Sequence, residues 1–493
     1  VMLKYLRETL ARDKVDPGVI HAYRGGYLPE MRRRIEEDLR SGAIRCVVAT
    51  NALELGIDIG TLDAVVCAGY PGTNASLWQR FGRAGRRKEG SLAVLVTSSA
   101  PLDQYVAKDA HALLRAPVEE ARIDPDNVEI LLQHLKCAAF ELPFEDGEKF
   151  GDVPAESVGD AMGFLAKNEV VHAVTAPSGK TTFHWAADAY PANHVSLRSL
   201  GWDNFVIVDL STDKNIAEMD WRSTHTMLHE QAIYQHDGEQ YQVEKLDFEN
   251  HKAFVRKVKP DYYTDAMTYT RVAVIEETDA AFVRLAGEAG SGLAAGLGDV
   301  SVVEKVVGYK KIKFNSHENV GYGDVRLPEM QMHTTSFWIE IPEATLIDLG
   351  LGKAAAVDGL RGLAIALETV ATLRLMCDPR DLGTTLGDSS LEEGTTSVTE
   401  DGEVVAIPRK VRGGPAPGYN PTLFLYEHTP GGIGLSERIF VQRDLLLARA
   451  LKLVQGCTCQ SGCPACVGPS SENRKMIAVT LMQRALGNVR AIG

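Results

Sequence analysis

Between Val19 and about Thr97 the chain alternates short β-type runs with helix-type segments: VIHAY, PEMRRRIEEDLRSG, IRCVVAT, DAVVCAGY, SLWQRFGRAGR and SLAVLVT. That order restricts the segment to a parallel sheet covered by helices. Pro29 suits the first turn of the first helix and Gly42 its exit. IRCVVA and AVVCA are continuous apolar runs, as expected of strands buried on both faces.

The rest of the 493 residues leaves room for about two further domains. Residues 123–235 predict a winged-helix module: DPDNVEILLQHLKCAAFELP and PAESVGDAMGFLAKNEVVHAV are helical, and GKTTFHWAA is a short strand after polar turn residues. Residues 236–493 begin β-rich, with a Gly/Ala-rich stretch at 287–298 expected to be a loop. LRGLAIALETVATLRLMC, residues 360–377, predicts a buried helix, and residues 384–421 a mobile segment. TLFLYEHTPGGIGLSERIFV then gives a strand, a glycine turn and a helix. The expected fold is therefore multidomain: an α/β domain over 1–122, the winged helix over 123–235 and a mixed α+β domain over 236–493.

Charge enters because the net value of −14 argues against nucleic acid as a partner. It is segregated, however: residues 1–122 hold 18 Lys+Arg against 15 Asp+Glu, net +3, which leaves −17 for the remainder. No run of about 18 apolar residues exists, and Val1–Arg7 lacks the h-region of a signal peptide, so a reducing, cytoplasmic setting is expected. Cys46, Cys67, Cys137 and Cys377 are scattered and read as buried small apolar residues.

Two segments carry chemistry in the first domain. On a helix through residues 76–87, Leu77, Phe81 and Ala84 share one face, whereas Gln79, Arg83 and Arg86 gather on the opposite one. Two guanidinium groups so placed suit phosphate, although spacing alone allows a solvated basic face equally well. The run IRCVVATNALELGIDIG delivers Thr50 to the carboxyl edge of its strand, with Gly56 and Asp58 following.

In this order and spacing, the two segments resemble motifs V and VI of superfamily 2 helicases of the DEAD/H type, and HAYRGGYLPEMRRRIEEDLRSG resembles the segment that precedes them. The resemblance implies a second RecA-like domain. Arg83 and Arg86 would be arginine fingers on the γ-phosphate, Gln79 a relay, and Gly56 and Asp58 neighbours of the nucleotide. Thr50, Arg24 and Gly25 would touch the nucleic-acid backbone. Gln79 stands where many DEAD-box proteins have His, which fits the DNA-translocating branches. No G-x-x-x-x-G-K-[ST] occurs: Ser178-Gly179-Lys180-Thr181 has Val174 in place of the first glycine and lies in the expected wing. The resemblance therefore implies the C-terminal half of a longer protein, not hydrolysing ATP by itself.

GCTCQSGCPACVG spaces Cys457, Cys459, Cys463 and Cys466 as C-x-C-x₃-C-x₂-C. Two thiolate clips on tight turns suit one tetrahedral Zn²⁺ with no open position, hence a structural site, with an iron–sulfur cluster or a redox dithiol pair as the alternatives. With TLFLYEHTPGGIGLSE, LRLMCDPRDLG and WAADAYPANHVSLRS, this cluster resembles the C-terminal half of bacterial MrfA/SftH-type helicases. That resemblance implies an ATP- and Mg²⁺-dependent 3′–5′ DNA helicase connected with DNA repair. It would work on single-stranded or 3′-tailed DNA beside an N-terminal RecA-like domain of the same protein. A non-catalytic nucleic-acid or protein docking module on a RecA-like scaffold is the rival reading.

Other features read as structural. Gly431-Gly432-Ile433-Gly434 is a turn before a helix, and Asp378 and Asp381 cap a loop. His225 and His229 are expected on a polar surface, and Trp185 and Trp202 in packing rather than base stacking.

Overall fold

The structure, a computed structural model, describes residues 1–54, 62–85, 90–108, 110–115, 117–119, 127–195, 204–283, 293–388, 393–398, 404–408, 420–469 and 473–486. The chain divides into two compact units. One comprises Val1–Ala121, Asp203–His428 and Leu435–Gly493, the other Arg122–Trp202 and Thr429–Gly434.

The first unit opens with α1 (Met2–Arg12), β1 (Ile20–Tyr23), α2 (Pro29–Ser41), β2 (Cys46–Ala49), β3 (Ala64–Ala68), α3 (Asn74–Phe81), β4 (Leu92–Val96), α4 (Pro101–Lys108) and α5 (Ala110–Arg115). β1 pairs in parallel with β2, and β3 with β4. Pro29 begins α2, and Gly42, at φ +82°, ends it. Tyr23, Tyr27, Ile35 and Ile44 form the core between α2 and the first strand pair. Burial on both faces does not hold: Cys46 and Ala49 are exposed, and Val66 is 62% accessible. An apolar run identifies a strand without saying which layers cover it.

The expected helix over 76–87 is shorter. α3 stops at Phe81, Gly82 caps it, and Ala84 pairs with Leu62 as Gly85 turns the chain at φ +81°. Leu77 is buried and Gln79 exposed as the face argument requires, but Arg83 lies beyond the helix.

The second unit holds α6 (Val128–Glu141), β5 (Phe144–Glu145), α7 (Ala155–Lys167), β6 (Val171–Thr175) and β7 (Thr181–Trp185), with strand order β5-β7-β6. Two helices and a hairpin around Leu135, Met162, Leu165 and Val171 make the winged helix. Gly179 and Lys180 occupy the β6–β7 turn, where the Ala176 amide donates to the Lys180 carbonyl at 2.8 Å, so this is a hairpin and not a phosphate loop. Trp185 packs on this core, edge-on to Phe140; Trp202 lies outside the described residues.

The first unit resumes with β8 (Phe205–Asp209), β9 (Lys214–Met219), α8 (Trp221–Met227), β10 (Ile233–His236), β11 (Glu239–Asp247) and β12 (Lys252–Val258). These strands form one sheet in the order β10-β11-β12-β8-β9. Residues 204–235, expected in the winged-helix module, therefore belong to this sheet, because β8 pairs in parallel with the distant β12. The polar-surface reading of His225 and His229 is also wrong: both are fully buried, His225 against Trp221 and Phe248, His229 stacked on Tyr309 at 4.9 Å. Burial holds both imidazoles below their ordinary pKa.

Next come β13 (Tyr262–Val283), β14 (Leu293–Lys313), β15 (Asn319–Asp324), β16 (Met330–Glu340), α9 (Glu343–Asp348), α10 (Lys353–Leu375), β17 (Leu382–Asp388), the hairpin β18 (Glu393–Val398) and β19 (Val404–Pro408), β20 (Pro421–Glu427), α11 (Leu435–Gln455) and α12 (Arg474–Ala485). The sheet runs β13-β14-β16-β20-β17, with β15 on β14. Its two ends meet where the Thr385 hydroxyl donates to the Thr270 carbonyl at 3.2 Å. The loop expected at 287–298 is strand from Leu293 onward. A Cβ on Gly296 would stand 2.2 Å from the Trp338 ring, so glycine here serves close packing rather than a turn. The mobile segment expected at 384–421 begins instead in β17, paired with β20. α10 is the buried helix expected, and Asp378 and Asp381 form a reciprocal cap at Pro379–Asp381. No described helix is long and apolar enough to cross a membrane.

Candidate nucleic-acid interface and metal centre

Parallel strands deliver their carboxyl ends to one edge, and here the ends of β1 and β2 release Arg24-Gly25 and Thr50-Asn51 side by side. A cleft of about 490 Å³ forms there, lined by Arg24, Gly25, Gly26, Thr50, Asn51, Asn204, Glu218, Met219, Asp220, Ser223 and Met227. The three residues expected to touch nucleic acid thus share one cleft. Its second wall, from β9 and α8, was invisible in the sequence. Backbone pairing joins the walls: the Glu218 amide donates to the Gly26 carbonyl at 2.8 Å, and a Cβ on Gly26 would stand 2.3 Å from the Glu218 oxygen. Arg24 is steadied by donating to the Tyr234 hydroxyl at 3.1 Å and the Gln235 carbonyl at 3.4 Å.

The arginine-bearing segment is organised by a residue that sequence reasoning missed. Glu54, in the short turn after Thr50, accepts from the Ser76 hydroxyl at 2.9 Å and from Arg80 at 2.7 and 2.6 Å. The Glu54 carbonyl also accepts from Arg83. Arg83 is therefore partly buried and oriented, while Gln79 is exposed three residues after the start of the Ser76 contact. Nothing local marks Glu54, because its partners lie 22 and 26 residues downstream. Gly56, Asp58 and Arg86 lie outside the described residues.

α3 itself starts under firm control. Thr73 caps it by accepting from the Ser76 amide, and Glu119 accepts from the amides of Asn74 and Ala75 at 2.6 and 2.9 Å. At the neighbouring strand ends Asp103 accepts from the amides of Tyr70 and Ser98, so its carboxylate is spent on holding both loops.

In the mixed α+β region the four Sγ atoms of Cys457, Cys459, Cys463 and Cys466 lie within 4.8 Å of one another, with three separations of 3.5, 3.5 and 3.6 Å. A tetrahedral Zn²⁺ with bonds of about 2.3 Å needs sulfur–sulfur edges of roughly 3.8 Å, so the donor set fits. With four thiolates and no fifth position the site is structural zinc. Lys475, another residue missed, donates to the carbonyls of Cys457 and Cys459, both at 2.7 Å, placing an ammonium beside an anionic cluster. Arg474 pairs with Asp358 of α10 and donates to the carbonyls of Val467 and Pro469, fixing the end of the cysteine loop.

Three family models match the chain in order: the helicase conserved C-terminal domain over residues 2–88, the winged helix domain of the ATP-dependent helicase HRQ1 over 123–200, and the MrfA Zn-binding domain over 363–467. An uncharacterized ATP-dependent helicase, YprA of Bacillus subtilis (strain 168), is 40% identical over 478 residues, covering 96% of this chain and 58% of that protein. The ATP-dependent helicase hrq1 of Schizosaccharomyces pombe is 27% identical over 460 residues, 92% of this chain and 40% of its own length. Among solved structures, the DUF1998 helicase MrfA bound to DNA superposes with a TM-score of 0.63 at 37% identity, covering 98% of this chain and 60% of that one. The same helicase with DNA and AMPPNP gives 0.58 at 37% identity, covering 97% and 58%. The chain thus spans less than two thirds of the length of these relatives.

Proposed function

The chain belongs to the superfamily 2 helicases of the MrfA type, and on that footing we propose that it supplies the strand-gripping lobe of an ATP-dependent 3′–5′ DNA helicase acting in DNA repair. The observation that carries this reading is the common cleft of Gly25, Arg24 and Thr50 at the carboxyl edge of β1 and β2. Thr50 and the glycine amides hold strand phosphates there without reading sequence. Grip by backbone amides and few charges makes binding modestly salt-dependent.

Arg83 and Arg86 act as fingers on the γ-phosphate and Gln79 relays between nucleotide and strand, with Gly56 and Asp58 beside the nucleotide. Arg83, held by the Glu54 carbonyl, is pre-oriented for the step in which a partner RecA-like lobe of the same protein closes on ATP and Mg²⁺. This chain alone does not hydrolyse ATP, since its arginines complete a site whose phosphate loop lies on that partner lobe. We place the protein in the cytoplasm, where its thiols stay reduced. Residues 1–122 form the lobe, and the winged helix and zinc-binding domain accompany it.

DNA-stimulated ATPase measured on the protein carrying both lobes tests the reading. Arg83→Ala and Arg86→Ala each lower kcat by about 10³-fold or more with folding intact. Unchanged turnover in both sinks the finger assignment. Fluorescence anisotropy of this chain with labelled single strands tests the grip, which Thr50→Ala weakens about tenfold.

A further inference from the structure

The two walls of the cleft differ in chemistry. One carries Arg24, Gly25, Thr50 and Asn51, all able to donate hydrogen bonds and none of them anionic. The other carries Glu218, Asp220 and Met227, from β9 and α8. Two carboxylates repel phosphate, so the nucleic-acid backbone cannot run along this second wall. The Glu218 carboxylate is exposed and has no hydrogen-bond or ion-pair partner among the described residues, and the side chains of Thr50, Asn51 and Asn204 are likewise unengaged there. Asp220 is partly committed, accepting from the Ser223 amide at 2.9 Å to cap α8. Met227, at the far end of α8, leaves 45% of its surface exposed and lines the same recess with an apolar thioether.

An acceptor-only group and an apolar thioether in one recess, facing a wall of backbone-compatible donors, match a nucleobase bearing an exocyclic amine. We propose that this cleft seats one unstacked base of the single strand. The Glu218 carboxylate accepts from the base's amino group, Met227 lies against the ring, and the adjoining phosphates lie on the Gly25–Thr50 side. Cytosine presents an N4 amino donor at the edge that thymine occupies with an oxygen, so the cleft favours cytosine over thymine. Duplex is excluded because a paired base has that amine engaged and its faces stacked. The two walls are fixed relative to each other by the Gly26–Glu218 backbone pairing, which makes the recess a preformed one.

The inference rests on the strand-binding reading above and fails separately from it. Anisotropy titrations of this chain with labelled oligo-dC and oligo-dT of equal length, at fixed salt and neutral pH, give the readout. The chain binds oligo-dC about tenfold tighter than oligo-dT, equivalent to about 1.4 kcal/mol. Glu218→Ala brings the two affinities together, with oligo-dT bound as tightly as before or more so. Met227→Ala weakens both by about threefold to tenfold, as loss of one apolar thioether contact does. Equal affinities in the parent chain, or a dC to dT ratio that Glu218→Ala leaves unchanged while Thr50→Ala still weakens binding, overturn the base recess and spare the strand-binding reading. No binding to either oligonucleotide by a folded chain overturns both. Circular dichroism of each variant confirms that a loss of binding is not a loss of fold.

Discussion

Glu54 and Arg80 are joined by two nitrogens on one oxygen: Nε and Nη2 of Arg80 lie 2.7 and 2.6 Å from Oε1 of Glu54. The pair is mostly shielded from water, with Glu54 about one-eighth and Arg80 about a quarter accessible. The same glutamate receives Ser76 and, through its carbonyl, Arg83. Removing its carboxylate leaves a guanidinium without its partner. Glu54→Ala therefore costs about 1–3 kcal/mol, seen as a lower thermal midpoint, and lowers ATPase turnover of the protein carrying both lobes. Arg80→Lys keeps the charge but loses the fork and falls between parent and Glu54→Ala.

The tetracysteine cluster predicts one zinc per chain by elemental analysis. Cobalt substitution gives the absorption of tetrahedral thiolate coordination, and an iron–sulfur chromophore in the native protein contradicts the assignment. Cys466→Ser abolishes stoichiometric metal, and a chelator lowers the thermal midpoint. Acidification releases the metal as protons compete for the thiolates.

Buried ionisable groups set the pH profile, and two kinds pull in opposite directions. Burial, helped by Arg24, lowers the His236 pKa to about 4, and burial lowers His225 and His229 as well. The unfolded chain protonates these imidazoles near the ordinary value of about 6.5, so their contribution is complete above that pH and is lost as pH falls below it, at His236 down to about 4. At His236 this amounts to about 3 kcal/mol. Glu368 behaves oppositely: burial raises its pKa to about 7, against a weaker pull from a Thr384 hydrogen bond. Its contribution is complete below the ordinary carboxyl value of about 4.5 and is lost as pH rises through 7. Urea titrations across pH thus show His236→Gln flattening the acid limb, and Glu368→Gln gaining stability over the parent as pH rises from about 5 to 8.

Asn127 closes the winged-helix unit. Its Oδ1 accepts from the amides of Glu129 and Ile130, both at 3.1 Å, while Nδ2 donates to the Pro430 carbonyl at 2.8 Å. Asn127→Ala costs about 2 kcal/mol, half from the lost cap and half from the abandoned carbonyl. Asn127→Asp retains the cap but turns an acceptor-only carboxylate oxygen towards the Pro430 carbonyl, so it still costs about 1 kcal/mol or more. Gly431, at φ +76° with a would-be Cβ 2.7 Å from the Asn127 amide nitrogen, admits no larger residue, and Gly431→Ala destabilises the same unit.

Features encoded over a few neighbouring residues were legible in the sequence. The Pro29 start and Gly42 stop of α2, the wing, the glycine turn before α11 and the four-cysteine spacing all appear where expected. What depends on distant partners was not. Glu54 has no signature until α3 folds beside it. Gly296 looked like a loop residue because Trp338, which explains it, is 42 positions away. His225 and His229 sit at helical spacing that says nothing about Phe248 or Tyr309 packing over them. The carboxyl-edge rule placed Thr50, and the helicase resemblance added Arg24 and Gly25, but the opposing wall of their cleft comes from a strand some 170 residues later.

Asn127 and Pro430 stand 303 positions apart, and the compact unit that contains them is built from both ends of that interval. A ribosome adding roughly 5–20 residues per second needs about 15–60 s to travel between them. During that time the nascent α6 start holds an amide with no carbonyl to receive it. The module therefore reaches its final form only after most of the later sheets have been synthesised, and truncation before residue 430 leaves it permanently unfinished.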